Sequence, residues 1–207
     1  MNADFYWWLG VLHSDGYVYL KNNEIREIRL RVSKSSLPML LKWKKVLDKL
    51  VSKEHKLLEE KMYDSRSNRH YVQYLVREGS KTSIKKLTFI FESYLIDKKV
   101  PSAILSNSTL SGAYLAGIID GDGCIQIRKS FKDNRNEKLL KLTLQEIELI
   151  EGIRQLVSKV GLSRGYVTKY DNYFDLWIYL NKKWLFWSKK HLLKALTIRR
   201  KIHAFTI

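Results

Sequence analysis

Two Asp-Gly steps, Asp15-Gly16 and Asp122-Gly123, stand 107 residues apart, and each closes an apolar run with helical character. Ahead of the second, Ala113, Gly117 and Gly121 recur every fourth residue, which on a helix makes one ridge of small residues. Gly10 and Ser14 hold the equivalent places in the first run. Glycine inside a helix costs about 1 kcal/mol relative to alanine, and the close approach of a second backbone compensates for it. Packing the two ridges together brings Asp15 and Asp122 together. Two carboxylates at helix C-termini repel each other and face the negative ends of both dipoles. A divalent cation resolves that conflict, with ligands from Asp15, Asp122 and the terminal carbonyls around Ser14 and Gly121. Such a cation can activate water and steady the leaving oxygen of a phosphodiester. Either Asp-Gly step alone is an ordinary turn. The glycine ridge, the duplication and the basic charge of the chain have to be explained together.

The elements that position these residues also come in two sets. Residues 4–14 read as a helix, 17–20 and 25–33 as strands around a Lys21-Asn22-Asn23 turn, and the run after Pro38 as a helix to about 52. Strands near 56–63 and 70–77 and a helix at 82–96 follow. The second half repeats the order: helix 111–121, strands 124–129 and 138–144, helix 146–160, strands 165–170 and 173–180, and a helical tail. The expected fold is α+β, two pseudo-twofold αββαββα repeats at 1–98 and 111–207, joined by a polar linker at 99–110 that contains Pro101.

Composition narrows the partners. Lys plus Arg number 38 against 21 acidic residues, a net charge of +17. That excess opposes compaction unless a polyanion offsets it, which makes nucleic acid the leading partner, although an acidic membrane surface or ribosomal RNA would match the sign too. Cys124 is the single cysteine and the five histidines are scattered, which excludes a disulfide framework and a thiolate zinc site. The N-terminus carries acid rather than base before its apolar run, and no apolar stretch approaches a membrane span. The expectation is a soluble intracellular protein without membrane contact.

At Leu115-Ala116-Gly117-Ile118-Ile119-Asp120-Gly121-Asp122-Gly123 the chain closely resembles the LAGLIDADG family, and Trp8-Leu9-Gly10-Val11-Leu12-His13-Ser14-Asp15-Gly16 is a degenerate first copy. The repeated order of elements extends the resemblance along essentially the whole chain. Two motifs resemble the single-chain homing endonucleases, which implies a monomer that cuts a long asymmetric site in double-stranded DNA with Mg²⁺ or Mn²⁺ and leaves short 3′ overhangs. The resemblance assigns the metal-binding role to Asp15 and Asp122. It matches an earlier motif aspartate to Asp120, where the first half has His13. It further implies a polar residue at the end of the second strand of each half, here Lys34 and Gln145. A basic residue near the end of the fourth strand is matched by Lys182 and more weakly by Lys81.

The family fold also implies a saddle of antiparallel sheets along the major groove. Alternation supports it independently: Arg29 and Arg31 interleave with Ile28, Leu30 and Val32, Gln126 and Arg128 with Ile125 and Ile127, and Gln73 shares a face with Arg77. With Lys141 these are the expected DNA contacts, since Arg, Lys and Gln read base edges in that groove. A solvated sheet face would show the same pattern. Other readings are an RNA maturase bound to intron RNA, suggested by the 12 Tyr and 6 Trp, and a non-cleaving DNA-binding regulator. A different nuclease core built on Asp48 and Glu59-Glu60-Lys61 rests on a spacing that arises easily in a chain rich in Glu and Lys. A pure binder has no use for a repulsive pair such as Asp15 and Asp122.

Overall fold

Helix α1 (Ala3–Ser14) buries every residue from Phe5 to His13, so it is apolar all round and belongs inside the protein. Helix α4 (Ser108–Asp122) buries everything from Ser111 to Asp120 and starts at Asn107, whose side chain accepts from the N–H groups of Thr109 and Leu110. By contrast α2 (Leu37–Val51) and α5 (Ile147–Lys159) each bury a single stripe. The computed structural model describes residues 1–129 and 136–206.

Strands β1 (Gly16–Lys21), β2 (Glu24–Ser33), β3 (Leu58–Asp64) and β4 (Arg69–Glu78) form an antiparallel sheet in the order β1-β2-β4-β3. Strands β5 (Gly123–Lys129), β6 (Asn136–Leu144), β7 (Tyr166–Lys169) and β8 (Phe174–Tyr179) repeat it as β5-β6-β8-β7. The expected turn between the first two strands holds Asn22 and Asn23 at φ 54° and 61°, a left-handed pair that asparagine tolerates and that suits a two-residue hairpin. Helix α3 (Lys81–Asp97) follows the first sheet, and α6 (Lys182–His191) and α7 (Arg199–Thr206) follow the second. The α+β architecture of paired antiparallel sheets with helices matches the expectation.

The chain divides into two compact units, Asp15–Ile96 and Met1–Ser14 together with Asp97–Ile207. Helix α1 thus belongs with the second half because it packs on α4, so the compact units do not coincide with the repeats. In the first-named unit α2 lies on β2 and β4, over Ile28, Leu30 and Val32. In the other, α5 covers β6 and β8 over Leu140, Leu142, Leu176 and Ile178. No helix among the described residues is long and apolar enough to cross a membrane.

A polar cluster ties α2 to β4 within Asp15–Ile96. The buried His55 ring faces Asp48 Oδ1 at 2.6 Å and Glu78 Oε2 at 2.9 Å, while Lys44 pairs with Asp48 and Lys53 with Glu78. Burial pushes the Glu78 carboxyl up, but the Ser80 N–H, Lys53 and His55 outweigh it and hold the group at about 2, against an ordinary 4.5. Asp48 is consumed by this cluster, whereas Glu60 pairs with Arg31 at 2.7 Å, so the two do not form a shared nuclease core. A depressed carboxylate stabilises the fold above its unfolded pKa, and that stability is lost as pH falls through the folded value. Between pH 4.5 and about 2, unfolding free energy should therefore fall by about 3 kcal/mol more in the native chain than in Glu78→Gln, measured by denaturant titration. Parallel pH profiles would contradict the assignment.

Candidate carboxylate site and nucleic-acid interface

The two buried helices meet backbone to backbone at the glycines. A Cβ placed on Gly117 would lie 2.1 Å from the Trp7 carbonyl oxygen, and one on Gly10 would lie 2.3 Å from that of Tyr114. Polar pairs flank the crossing reciprocally. Trp7 Nε1 donates to Asp120 Oδ2 at 3.0 Å, and His13 Nδ1 lies 2.8 Å from the Tyr114 hydroxyl. Trp7 and Tyr114 are equivalent by the 107-residue offset, as are His13 and Asp120. His13 in place of an aspartate therefore changes the chemistry of an interhelical pair and leaves the Asp-Gly step intact. Ser14 and Gly121 each follow their glycine by four residues, so each lies about 6 Å along its own helix from the crossing.

The ends themselves differ. Helix α1 stops at Ser14, whose hydroxyl donates back to the Gly10 and Val11 carbonyls, and exposed Asp15 follows by one peptide bond. Helix α4 runs through half-buried Asp122, and Gly123 leaves in extended conformation. Buried Asp120 accepts from Thr197 N, Thr197 Oγ1 and Ile198 N as well as from Trp7. Burial raises its pKa, and these donors only partly offset the effect. Lys201 Nζ donates to the carbonyls of Ile119, Asp120 and Gly121 at 2.5, 2.6 and 3.0 Å. The Gly121 carbonyl, expected as a metal ligand, thus accepts from an ammonium. Among the described residues no group of three or more His, Cys, Asp or Glu could hold a metal. The donor set that fits a hard divalent cation is two carboxylates supplemented by backbone or water oxygens.

Residues directly opposite in a ladder share a sheet face, and register places the expected DNA contacts accordingly. In the first sheet Arg29 faces Arg77 and Tyr17, while Arg31 and Gln73 face Leu75 and Ser33 along the same surface. Arg29 lies over the Tyr17 ring at 4.3 Å. In the second sheet Lys141 faces Cys124 and Trp177, Arg128 faces Glu137, and Gln126 faces Leu139. The cations here are held by acids: Lys141 Nζ lies 2.8 Å from Asp175 Oδ2 and Arg128 Nε 3.4 Å from Glu137 Oε2. The sequence reading missed Asp175, Trp177 and Tyr179. The alternation of β8 was legible, but its pairing with Lys141 and Arg128 needed the register.

Residues 109–198 match the family described as a LAGLIDADG-like domain. The chain shares the fold of the LAGLIDADG homing endonucleases. No curated protein matches it. Among solved structures, the homing endonuclease I-WcaI bound to its DNA recognition sequence is 12% identical with a TM-score of 0.58, covering 97% of this chain and 85% of that one. A point variant of I-DmoI, in complex with its target DNA and in the presence of 2 mM Mn, is 16% identical with a TM-score of 0.57 over 95% and 97% of the two chains. Full-length DUF199/WhiA from Thermatoga maritima is 17% identical with a TM-score of 0.60, over 99% of this chain but 58% of that one. At these identities the likeness speaks for the fold.

Within this fold the remaining expected residues occupy equivalent places in the two repeats. Lys34 and Gln145 are each the first residue after the second strand of their repeat, and both are exposed. Lys81 and Lys182 each open the helix after the fourth strand and are likewise exposed. A lysine at a helix N-terminus opposes the dipole, so neither is placed there for helix stability. The motif helices yield a direct check. Helix propensity alone favours Gly117→Ala by about 1 kcal/mol, whereas the Trp7 carbonyl leaves its methyl no room. Gly117→Ala should lose about 2 kcal/mol or more in denaturant unfolding; a gain in stability would contradict the backbone contact.

Proposed function

We propose that this chain is a monomeric site-specific endonuclease that cuts double-stranded DNA with Mg²⁺ or a similar ion such as Mn²⁺ at Asp15 and Asp122. The observation that carries the reading is the glycine crossing: one tight contact supports two helices, and each leads within five residues into an Asp-Gly step. The buried polar pairs that flank the crossing are Trp7 with Asp120 and His13 with Tyr114, and neither uses Asp15 or Asp122.

The Asp15 and Asp122 carboxylates supply the oxygen ligands, with the Ser14 carbonyl available beside the first. When bound, the metal activates water and stabilises charge on the leaving oxygen of the phosphodiester. Lys34 and Gln145 organise water from the strand ends. Lys81 and Lys182 meet phosphate, for which an ammonium and a helix N-terminus are both suited. Arg29, Arg31, Gln73 and Arg77 on one sheet and Gln126, Arg128 and Lys141 on the other contact the major groove. Glu27, Glu60, Glu137 and Asp175 pair with Arg29, Arg31, Arg128 and Lys141, and phosphates or base edges compete with these acids when DNA binds.

Cleavage of a randomised duplex library in Mg²⁺ and in EDTA tests the activity. Double-strand cuts at one long sequence are expected, abolished by EDTA and reduced roughly a hundredfold or more by Asp15→Asn or by Asp122→Asn. Specific duplex binding that survives EDTA without any cutting would replace the endonuclease reading with a DNA-binding regulator. If duplex is neither cut nor specifically bound, intron RNA becomes the partner. Binding of the selected duplex should weaken roughly a thousandfold between about 50 and 200 mM salt, as neutralisation of about six phosphates requires. An affinity indifferent to salt would contradict the basic sheet faces as the contact surface.

A further inference from the structure

We propose that the outer two strands of the second sheet, β7 and β8, bind single-stranded DNA by stacking its bases on Tyr166, Trp177, Tyr179, Tyr170 and Tyr173. This inference goes beyond the duplex reading above and rests on it only for DNA over RNA. Alternation along β8 and its approach puts Tyr173, Trp177 and Tyr179 on the face opposite α5, which covers Leu176 and Ile178. Tyr166 of β7 stands directly beside Trp177 in the ladder. Their rings are parallel within 10° at 6.3 Å, and the Tyr179 ring lies 6.2 Å from that of Tyr166. Just beyond the strand ends Tyr170 and Tyr173 stack at 4.6 Å and 18°, where the Tyr170 N–H donates to the Tyr173 carbonyl. Each of the four tyrosines is still between 37 and 40% exposed.

The fold does not require rings here. Gly16 pairs with Leu30 and Gly123 with Leu142, while Leu30 pairs with Val76 and Leu142 with Leu176, so Trp177 is the counterpart of Arg77. By the same register Tyr173 answers to Gln73 and Tyr170 to Glu60. The first sheet therefore folds with charged and polar side chains where the second sets out aromatic ones. Cations complete the surface. Lys141 Nζ is 5.2 Å from the centre of the Trp177 ring, and the Arg128 guanidinium is 5.5 Å from that of Tyr179 and donates to its hydroxyl. An intact duplex presents base edges in its grooves and hides base faces in its stack. A ring gains most from a base face, and rings beside cations that neutralise phosphate are what hold a single strand. Contacts made among the rings in advance lower the ordering cost of binding. Because Gln126, Arg128 and Lys141 are the DNA contacts proposed for this sheet, the strand that reaches the rings is DNA.

Fluorescence anisotropy of a labelled thymidine strand of about eight nucleotides, titrated with the full chain in EDTA, tests the site. An abasic strand of equal length offers the same phosphates without bases and should bind about tenfold more weakly. Tyr166→Ala and Tyr170→Ala should each weaken binding of the thymidine strand about tenfold, with the abasic strand and the selected duplex held within about twofold. Trp177→Phe retains a ring, so binding stays while the quenching of tryptophan fluorescence by the bound strand is lost; quenching that persists puts the strand elsewhere and overturns the inference. Equal affinity for the thymidine and abasic strands overturns it too, as do equal losses on duplex and single strand in the tyrosine variants, which would make the rings groove contacts. Both results leave the duplex reading intact. Tighter binding of a uridine RNA strand of the same length overturns the choice of DNA. If the chain binds neither duplex nor single-stranded DNA, the DNA reading itself fails, and this inference with it.

Discussion

The contact between Gly10 and Gly117 is the constraint on which the site depends. Two helices buried on nearly all sides approach each other backbone to backbone here, and a single methyl at either glycine collides with a carbonyl oxygen. The small residues cost helix propensity, and the packing of Trp7, Trp8, Tyr114 and their neighbours offsets that cost. Because the crossing fixes where each helix ends, it also fixes where Ser14 and Gly121 stand. A change at the crossing therefore acts on the stability of the fold and on the ends of both motif helices together.

Polar groups in this interface are assigned by the duplication but filled with different chemistry. Trp7 to Asp120 and His13 to Tyr114 occupy equivalent places, yet one joins an indole to a carboxylate and the other an imidazole to a phenol. Asp120 then recruits the segment before α7, because a carboxylate has acceptor capacity left after meeting one indole N–H. Symmetry of the backbone is thus compatible with asymmetry of the ends. The sheets follow the same pattern: Arg31 is held by Glu60 in one and Lys141 by Asp175 in the other, at positions that do not correspond strand for strand.

Local patterning carried most of the fold. The four-residue spacing of small side chains located the helix crossing, Asn22-Asn23 located a hairpin turn, and alternation located the strands to within a few residues. These signals succeed because they reflect period and backbone conformation, which act between near neighbours. What stayed hidden was decided by partners far along the chain. Lys201 reaches Ile119 and Asp120 across 82 and 81 residues, and in a chain with 38 basic residues no local feature distinguishes it. The same holds for Asp175 under Lys141 and for His55 between Asp48 and Glu78. The packing of α1 with the second half was legible as two matching ridges, but its consequence for the compact units was not, because repeats are read along the sequence and units through space.

Anomalous diffraction from crystals grown with Mn²⁺ would address the central claim most directly, since it locates the ion without reference to activity. The account predicts a manganese peak bonded to carboxylate oxygens of Asp15 and of Asp122, at about 2.2 Å. Manganese bound only at other carboxylates, with Asp15 and Asp122 turned to protein partners, would contradict it.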